Sequence, residues 1–165
     1  MLNLDGLGRK ILLIIDSQDS FTLVSNDVIG GDLAGQKISI DMALKMVACD
    51  SFVFQSSRFD KYALLDAMSS RARCKNTASD RRKGSYYRAI CDYVKRLKRV
   101  CLVIYDADLV EPEGLLMLAR VTGFAKRNKF LFSIIFIGNT TRIRRTSNLS
   151  GIEIDRFIPR SSSNQ

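Results

Sequence analysis

The sequence contains no histidine. That absence removes Ser-His and Cys-His nucleophilic catalysis and the usual imidazole-bearing zinc sites. It also lacks any C-x-x-C pair, because its four cysteines, Cys49, Cys74, Cys91 and Cys101, are scattered. Three of them fall in apolar helical or strand patterns and read as small buried hydrophobes of a reducing compartment. No apolar run approaches the roughly 18 residues of a membrane-spanning helix, and the N-terminus has no signal-peptide layout. Acidic charge is scarce: 17 Asp plus Glu stand against 26 Lys plus Arg, for a formal net charge of +9. Such an excess favours an acidic partner, whether nucleic acid, an anionic lipid surface or an acidic protein, and does not choose among them.

At 165 residues, 46% apolar and 26% charged, the composition is that of one globular domain with a real core. Residues 1–160 are read as that domain and residues 161–165 as the head of a disordered linker. No internal repeat is evident.

The most informative stretch is VCLVIYDADLV, residues 100–110. Five consecutive apolar residues, 100–104, predict a strand covered on both faces, since neither face alternates toward water. The run ends at Tyr105-Asp106-Ala107-Asp108. In open parallel sheets ligands sit beyond the carboxyl ends of the strands, so these acids could hold a metal or orient water. They could equally be a strand end leading into the next helix, which Pro112 and Glu113 predict over 112–127. Leu115, Leu118, Val121 and Phe124 or Ala125 form its inward stripe, and Lys126, Arg127 and Lys129 suit its C-terminal dipole. FLFSIIFI, residues 130–137, is the second fully apolar strand and ends at Gly138-Asn139, a polar residue at a strand tip.

Upstream, residues 9–15 carry a dense apolar block that local pattern leaves open between strand and short buried helix. Residues 17–20 read as a turn and 21–25 as a strand. Val28-Ile29 then leads into a glycine-bearing loop, followed by a helix from about Ile38 to Ala48. Strand, glycine loop and helix is the layout of a phosphate cradle, in which backbone N–H groups and a helix N-terminus converge. Gly30 and Gly35 have the separation of the Walker pattern G-x-x-x-x-G-K-[ST]. Gln36, however, stands where lysine belongs, and Lys37 stands where the magnesium-binding hydroxyl belongs. One residue along a helix turns a side chain by about 100°, so Lys37 is not a simple substitute. A glycine turn between strand and helix accounts for the spacing as well.

SFVFQ, residues 51–55, predicts a further strand, and residues 58–73 a helix with Tyr62, Leu65 and Met68 inward. Residues 74–84 read as a basic surface loop and 85–99 as a helix. Between Arg71 and Arg99 there are eleven Lys or Arg against two acids, Asp80 and Asp92. Arg81, Arg82, Lys83, Arg88, Lys95, Arg96, Lys98 and Arg99, with Arg142, Arg144 and Arg145 further on, form a candidate basic docking surface or a solvated face. Tyr86-Tyr87 could stack bases, though tyrosines opening an amphipathic helix are commonly packed. Residues 140–151 are loop or short helix, and IEIDRFI, residues 152–158, alternates like an edge strand.

Strands alternating with helices, with the two most apolar strands central, predict a doubly wound α/β domain. Residues 21–48, 100–110 and 130–139 together resemble the AAA-type P-loop ATPase domain of ExeA (general secretion pathway A) proteins. They resemble still more the N-terminal cytoplasmic domain of DamX-like cell-envelope proteins. The resemblance implies a mainly parallel P-loop sheet and makes residues 9–15 a helix ahead of it. It matches Gly30 and Gly35 to the loop glycines. Gln36 and Lys37 depart at the lysine and the hydroxyl. Tyr105 departs at the metal-binding aspartate, Asp106 stands for the catalytic glutamate, Ala107 matches, Asp108 takes the last place, and Asn139 matches the sensor.

Phosphoryl transfer rests almost wholly on positioning and electrostatics. The resemblance therefore implies a pseudo-ATPase fold kept as an interaction scaffold, with no catalytic residues, no metal and no resident cofactor. It also implies a cytoplasmic domain tethered to the inner membrane by a segment after residue 165, in secretion, pilus assembly or cell division. The basic surface would face an acidic protein partner, envelope machinery or anionic lipid. Two other classes stay open. One is a divergent ATP binder, with Lys37 reaching phosphate and Asp106 or Asp108 holding magnesium. The other is a nucleic-acid-binding module using the basic surface, with steeply salt-dependent affinity.

Overall fold

A computed structural model describes residues 6–17, 20–25, 33–72, 85–149 and 152–158. Its centre is strand β3 (Arg99–Tyr105), whose residues from Val100 to Tyr105 are all buried. Alternate residues point to opposite faces of a strand. On one face Val100, Leu102 and Ile104 join a core with Leu64, Leu65, Ile90, Val94, Leu118 and Phe136. On the other, Cys101, Val103 and Tyr105 join Ile11, Ile14, Ile15, Ile40 and Leu44. Strand β4 (Leu131–Gly138) is buried in the same two-sided way and pairs parallel with β3, with Ile104 opposite Phe136.

Three more strands complete a parallel sheet: β1 (Phe21–Ser25), β2 (Asp50–Gln55) and β5 (Arg156–Ile158). The spatial order is β2-β3-β4-β1-β5, and every described pairing is parallel. Parallel neighbours require crossovers, and helices supply them. Helices α1 (Gly6–Asp16) and α2 (Leu33–Lys45) cover one face. Helices α3 (Lys61–Arg71), α4 (Ser85–Leu97), α5 (Pro112–Arg127) and α6 (Thr140–Leu149) contribute to the other. This is the expected doubly wound α/β architecture, and residues 9–15 are helical as the resemblance implied.

Local sequence explains the elements. In α1, Ile11, Ile14 and Ile15 recur at helical spacing and are buried. Helix α3 starts where Asp60 accepts a hydrogen bond from the Ala63 N–H at 2.7 Å. Helix α5 has Pro112 at its first position and buries Leu115, Leu118, Val121 and Ala125 along one side. Phe124 is only half-buried, so Ala125 is the inward residue of that pair.

Three expectations shift, and one alternative left open is decided. Helix α2 begins at Leu33, so Gly35, Gln36 and Lys37 lie inside its first turns rather than in or just after a loop. Leu33 and Ala34 favour helix, and a glycine in a first turn costs too little to delay it. Arg99 belongs to β3 and not to the preceding helix, because Lys98 takes a left-handed conformation (φ 67°) that ends α4. Of residues 152–158 only Arg156–Ile158 are strand. Ile152 instead drops into the core, and Asp155 accepts hydrogen bonds from the Ser20 and Phe21 N–H groups. Residues 140–149 choose helix, since Asn139 caps them: its side-chain oxygen accepts from the Arg142 N–H at 3.1 Å.

Cys91 and Cys101 are buried and Cys49 is half-buried, all as free thiols. Cys74, the strand at Val28-Ile29, the loop of residues 74–84 and the tail 161–165 lie outside the described residues. Among the described residues no helix is long and apolar enough to cross a membrane.

Candidate functional site

The carboxyl ends of β1, β4 and β3 lie side by side, at Ser25, Gly138 and Tyr105. From β1 the chain goes to α2 on one face, and from β4 to α6, whose Ile143 packs on the other. Connections that part to opposite faces open a crevice at the strand ends, where open α/β sheets place their ligands. Gly30, the first candidate loop glycine, lies outside the described residues, as do the basic residues Arg81, Arg82 and Lys83. Gly35 and Gln36 lie in the first turn of α2.

Lys37 is the first of these residues with a described side chain, and it does not point away from the central strand. Its ammonium nitrogen lies 5.1 Å from the centroid of the Tyr105 ring. A cation over an aromatic face is held by the ring quadrupole, worth about 0.5–1 kcal/mol at a partly exposed site. Lys37, Tyr105, Ile38, Asp41, Val53 and Gln55 line a cleft of about 340 Å³ between α2 and the β2–β3 end of the sheet. Tyr105 is 4% exposed. Burial pushes its phenol up to about 12, with the carboxylate of Asp41 adding to the rise. At neutral pH the position therefore carries a neutral hydroxyl.

The two acids after β3 are already engaged. Asp106 adopts a left-handed conformation (φ 51°), and its carboxylate accepts a hydrogen bond from the Gln55 side-chain amide. Asp108 heads in another direction. One of its oxygens accepts from the Asn139 backbone N–H at 3.3 Å, and the other stands 3.9 Å from an Arg142 guanidinium nitrogen. Its side chain is 9% exposed, so the contact is sheltered. Gly138 makes this approach possible: a Cβ there would lie 2.6 Å from Asp108 Oδ1 and 2.9 Å from Ile143 Cδ1. Asp108, Asn139 and Arg142 thus form a clasp between the short turn Ala107–Leu109 and the start of α6.

The fold brings together Lys37 with Tyr105, Asp106 with Gln55, and Asp108 with Asn139. It sends Asp106 and Asp108 to different neighbours rather than to one point. Among the described residues no three Cys, Asp or Glu side chains converge on a metal-sized site. The donor set that is described does not fit magnesium: a neutral phenol stands at the strand end, an ammonium ion covers it, and both acids have partners. Sequence reasoning missed Gln55 and Asp41. The signal for Gln55 was present, since it is a polar residue at the tip of an apolar strand, as Asn139 is.

The remaining basic residues do not form one cluster in the described structure. Arg88, Lys95, Arg96, Lys98 and Arg99 are exposed along α4 and its exit, and Lys95 reaches within 6.0 Å of the Phe124 ring. Arg142, Arg144 and Arg145 are exposed on α6, at the other end of the sheet's strands. Tyr86 and Tyr87 are partly buried against the core.

No family model and no curated relative matches the chain. Solved structures are similar in fold. The crystal structure of Cdc6p from Pyrobaculum aerophilum aligns with a TM-score of 0.59 at 14% identity, over 96% of this chain and 47% of that one. The Walker-type ATPase of Pyrococcus abyssi aligns at 0.56 with 10% identity, over 96% of this chain and 53% of that one. The chain thus spans about half the length of each. At such identity the likeness is one of fold, and the fold is an α/β sheet of the P-loop, AAA-like kind.

Proposed function

We propose that this chain is a P-loop ATPase-like domain without working phosphoryl-transfer chemistry, used as a protein-interaction scaffold. The observation that carries the reading is the Lys37–Tyr105 stack. In a P-loop fold the start of α2 and the end of β3 are the two places from which a metal-bound triphosphate is held. Here a cation and a neutral aromatic ring occupy them and satisfy each other. The engagement of Asp106 by Gln55 and of Asp108 by Asn139 and Arg142 supports the same conclusion. The ExeA-like and DamX-like resemblance adds the setting: a cytoplasmic domain of an envelope component, tethered to an inner membrane and facing an acidic partner or anionic lipid.

A second reading, a divergent ATP binder, has its own support in the fold shared with a Walker-type ATPase and in the open cleft beside Lys37. Titration calorimetry with ATP and magnesium separates the two. The scaffold reading expects no saturable heat up to about 1 mM nucleotide. It also expects no phosphate release above that of a Lys37→Ala variant. Micromolar affinity that Lys37→Ala abolishes overturns it in favour of the second reading.

A further inference from the structure

A second cleft lies at the opposite end of the sheet. It encloses about 910 Å³ beside the amino ends of β1, β3 and β4. Four cations surround it: Lys98 and Arg99 at the exit of α4, and Lys126 and Lys129 at the exit of α5. All four are exposed, and among the described residues none makes an ion pair. Phe130 and Leu131, both half-buried, supply apolar surface between them.

Cations near a helix C-terminus complement its dipole, and that suffices for Lys126. It does not suffice for Lys98 and Lys129. Both sit in the left-handed region, at φ 67° and 61°, Lys98 directly after α4 and Lys129 one residue beyond the Asn128 cap of α5. Glycine is the residue that takes this conformation without strain. At two separate helix ends the sequence keeps a lysine there, and the two meet at one cleft: the Leu131 N–H donates to the Lys98 carbonyl at 3.0 Å, joining the two turns. The chain tolerates backbone strain twice to put an ammonium group at the same place, and among the described residues neither lysine is in an ion pair.

The geometry points to a docking cleft for an acidic peptide segment carrying an apolar or aromatic anchor, distinct from the Lys37–Tyr105 site. Carboxylates would face the cationic rim, and the anchor would lie against Phe130 and Leu131. A polynucleotide track fits less well. The positive strip ends at Ser20, whose N–H is held at 2.8 Å by the Asp155 carboxylate, and of the two lining aromatics Phe132 is buried, which leaves Phe130 where base stacking uses several. The inference rests on the scaffold reading only in taking the occupant to be protein.

The probe is a fluorescein-labelled peptide of repeated Glu-Glu-Phe, titrated with the full chain by fluorescence anisotropy at low salt. Oligothymidine and a Glu-only peptide run alongside. The decisive variant is Lys98→Gly with Lys129→Gly, which removes two cations and relieves the left-handed strain. Its thermal midpoint is expected to hold or rise while affinity for Glu-Glu-Phe falls about tenfold, and Lys126→Glu is expected to weaken it similarly. Glu-only peptide is expected to bind more weakly. The proposal is overturned by no binding of Glu-Glu-Phe, by binding that the glycine pair leaves unchanged, or by oligothymidine binding more tightly. Lys37→Ala leaves this titration untouched, so the nucleotide experiment and this one fail independently.

Discussion

At Tyr105 a single residue decides what the strand end can do. An aspartate there would bring a negative charge to the crevice. The phenol brings none until its proton leaves, and burial raises its pKa to about 12 from an ordinary 10. The folded state therefore holds this proton more tightly than the unfolded chain. Stability from this source is complete below pH 10 and is lost as pH rises toward 12, by roughly 2–3 kcal/mol in all. Urea unfolding followed from pH 8 to 12 is expected to show that alkaline decline in the native chain, and Tyr105→Phe is expected to remove its steepest part. Gly138 is decisive by its size. Gly138→Ala would set a methyl group against Asp108 Oδ1, Ile143 and the Ala107 backbone nitrogen at 2.6, 2.9 and 3.2 Å. The expected cost is about 1–3 kcal/mol by chemical denaturation, because one of those atoms belongs to the backbone and cannot swing aside. Neither residue could be weighed this way from sequence: Tyr105 was legible as a departure at a strand end, whereas its contact with Lys37 joins residues far apart in the chain.

Among the elements, helices and apolar strands were the readable part. Pro112, a stripe through Leu115, Leu118 and Val121, and basic residues at the end define α5 without any tertiary information, because each cue is local. Asp60 is a cue of the same kind for α3. Asp60→Ala is expected to cost about 1 kcal/mol in a thermal or urea melt, while Asp60→Asn, which retains a capping oxygen, costs little. Start points were harder. Helix α2 begins before Gly35 because its preceding residues favour helix and a glycine in the first turn is a weak brake. The last strand shortened because Asp155 found the Ser20 and Phe21 N–H groups, partners that become neighbours only after β1 and β5 are laid together. The two left-handed lysines belong here too: Lys98 and Lys129 each follow a helix end and take the conformation that usually signals Gly or Asn, although Asn128 caps α5 just before Lys129.

The whole molecule hangs on two buried strands with helices on both faces. Phe136 is fully buried in β4 and stacks on Phe21 at a centroid distance of 5.8 Å. Phe136→Ala is expected to cost about 3–5 kcal/mol in denaturant unfolding, enough to threaten folding of a domain this size. Long apolar runs such as residues 100–104 and 130–137 could be recognised as two-sided strands because burial on both faces suppresses alternation, a property of the chain alone. Their alternation with helices then required parallel pairing, so the α/β class followed from sequence. The spatial order β2-β3-β4-β1-β5 did not, nor did the partners that order creates. Lys37 over Tyr105, Gln55 on Asp106, Asp108 on Asn139 and the cationic cleft between the ends of α4 and α5 each join distant segments. Local propensity and hydrophobic pattern act within a few residues, so the chain by itself determined which segments are strands and helices. Only the packed sheet decided which side chains meet at its two ends, because those meetings depend on strand order and on which face each crossover takes.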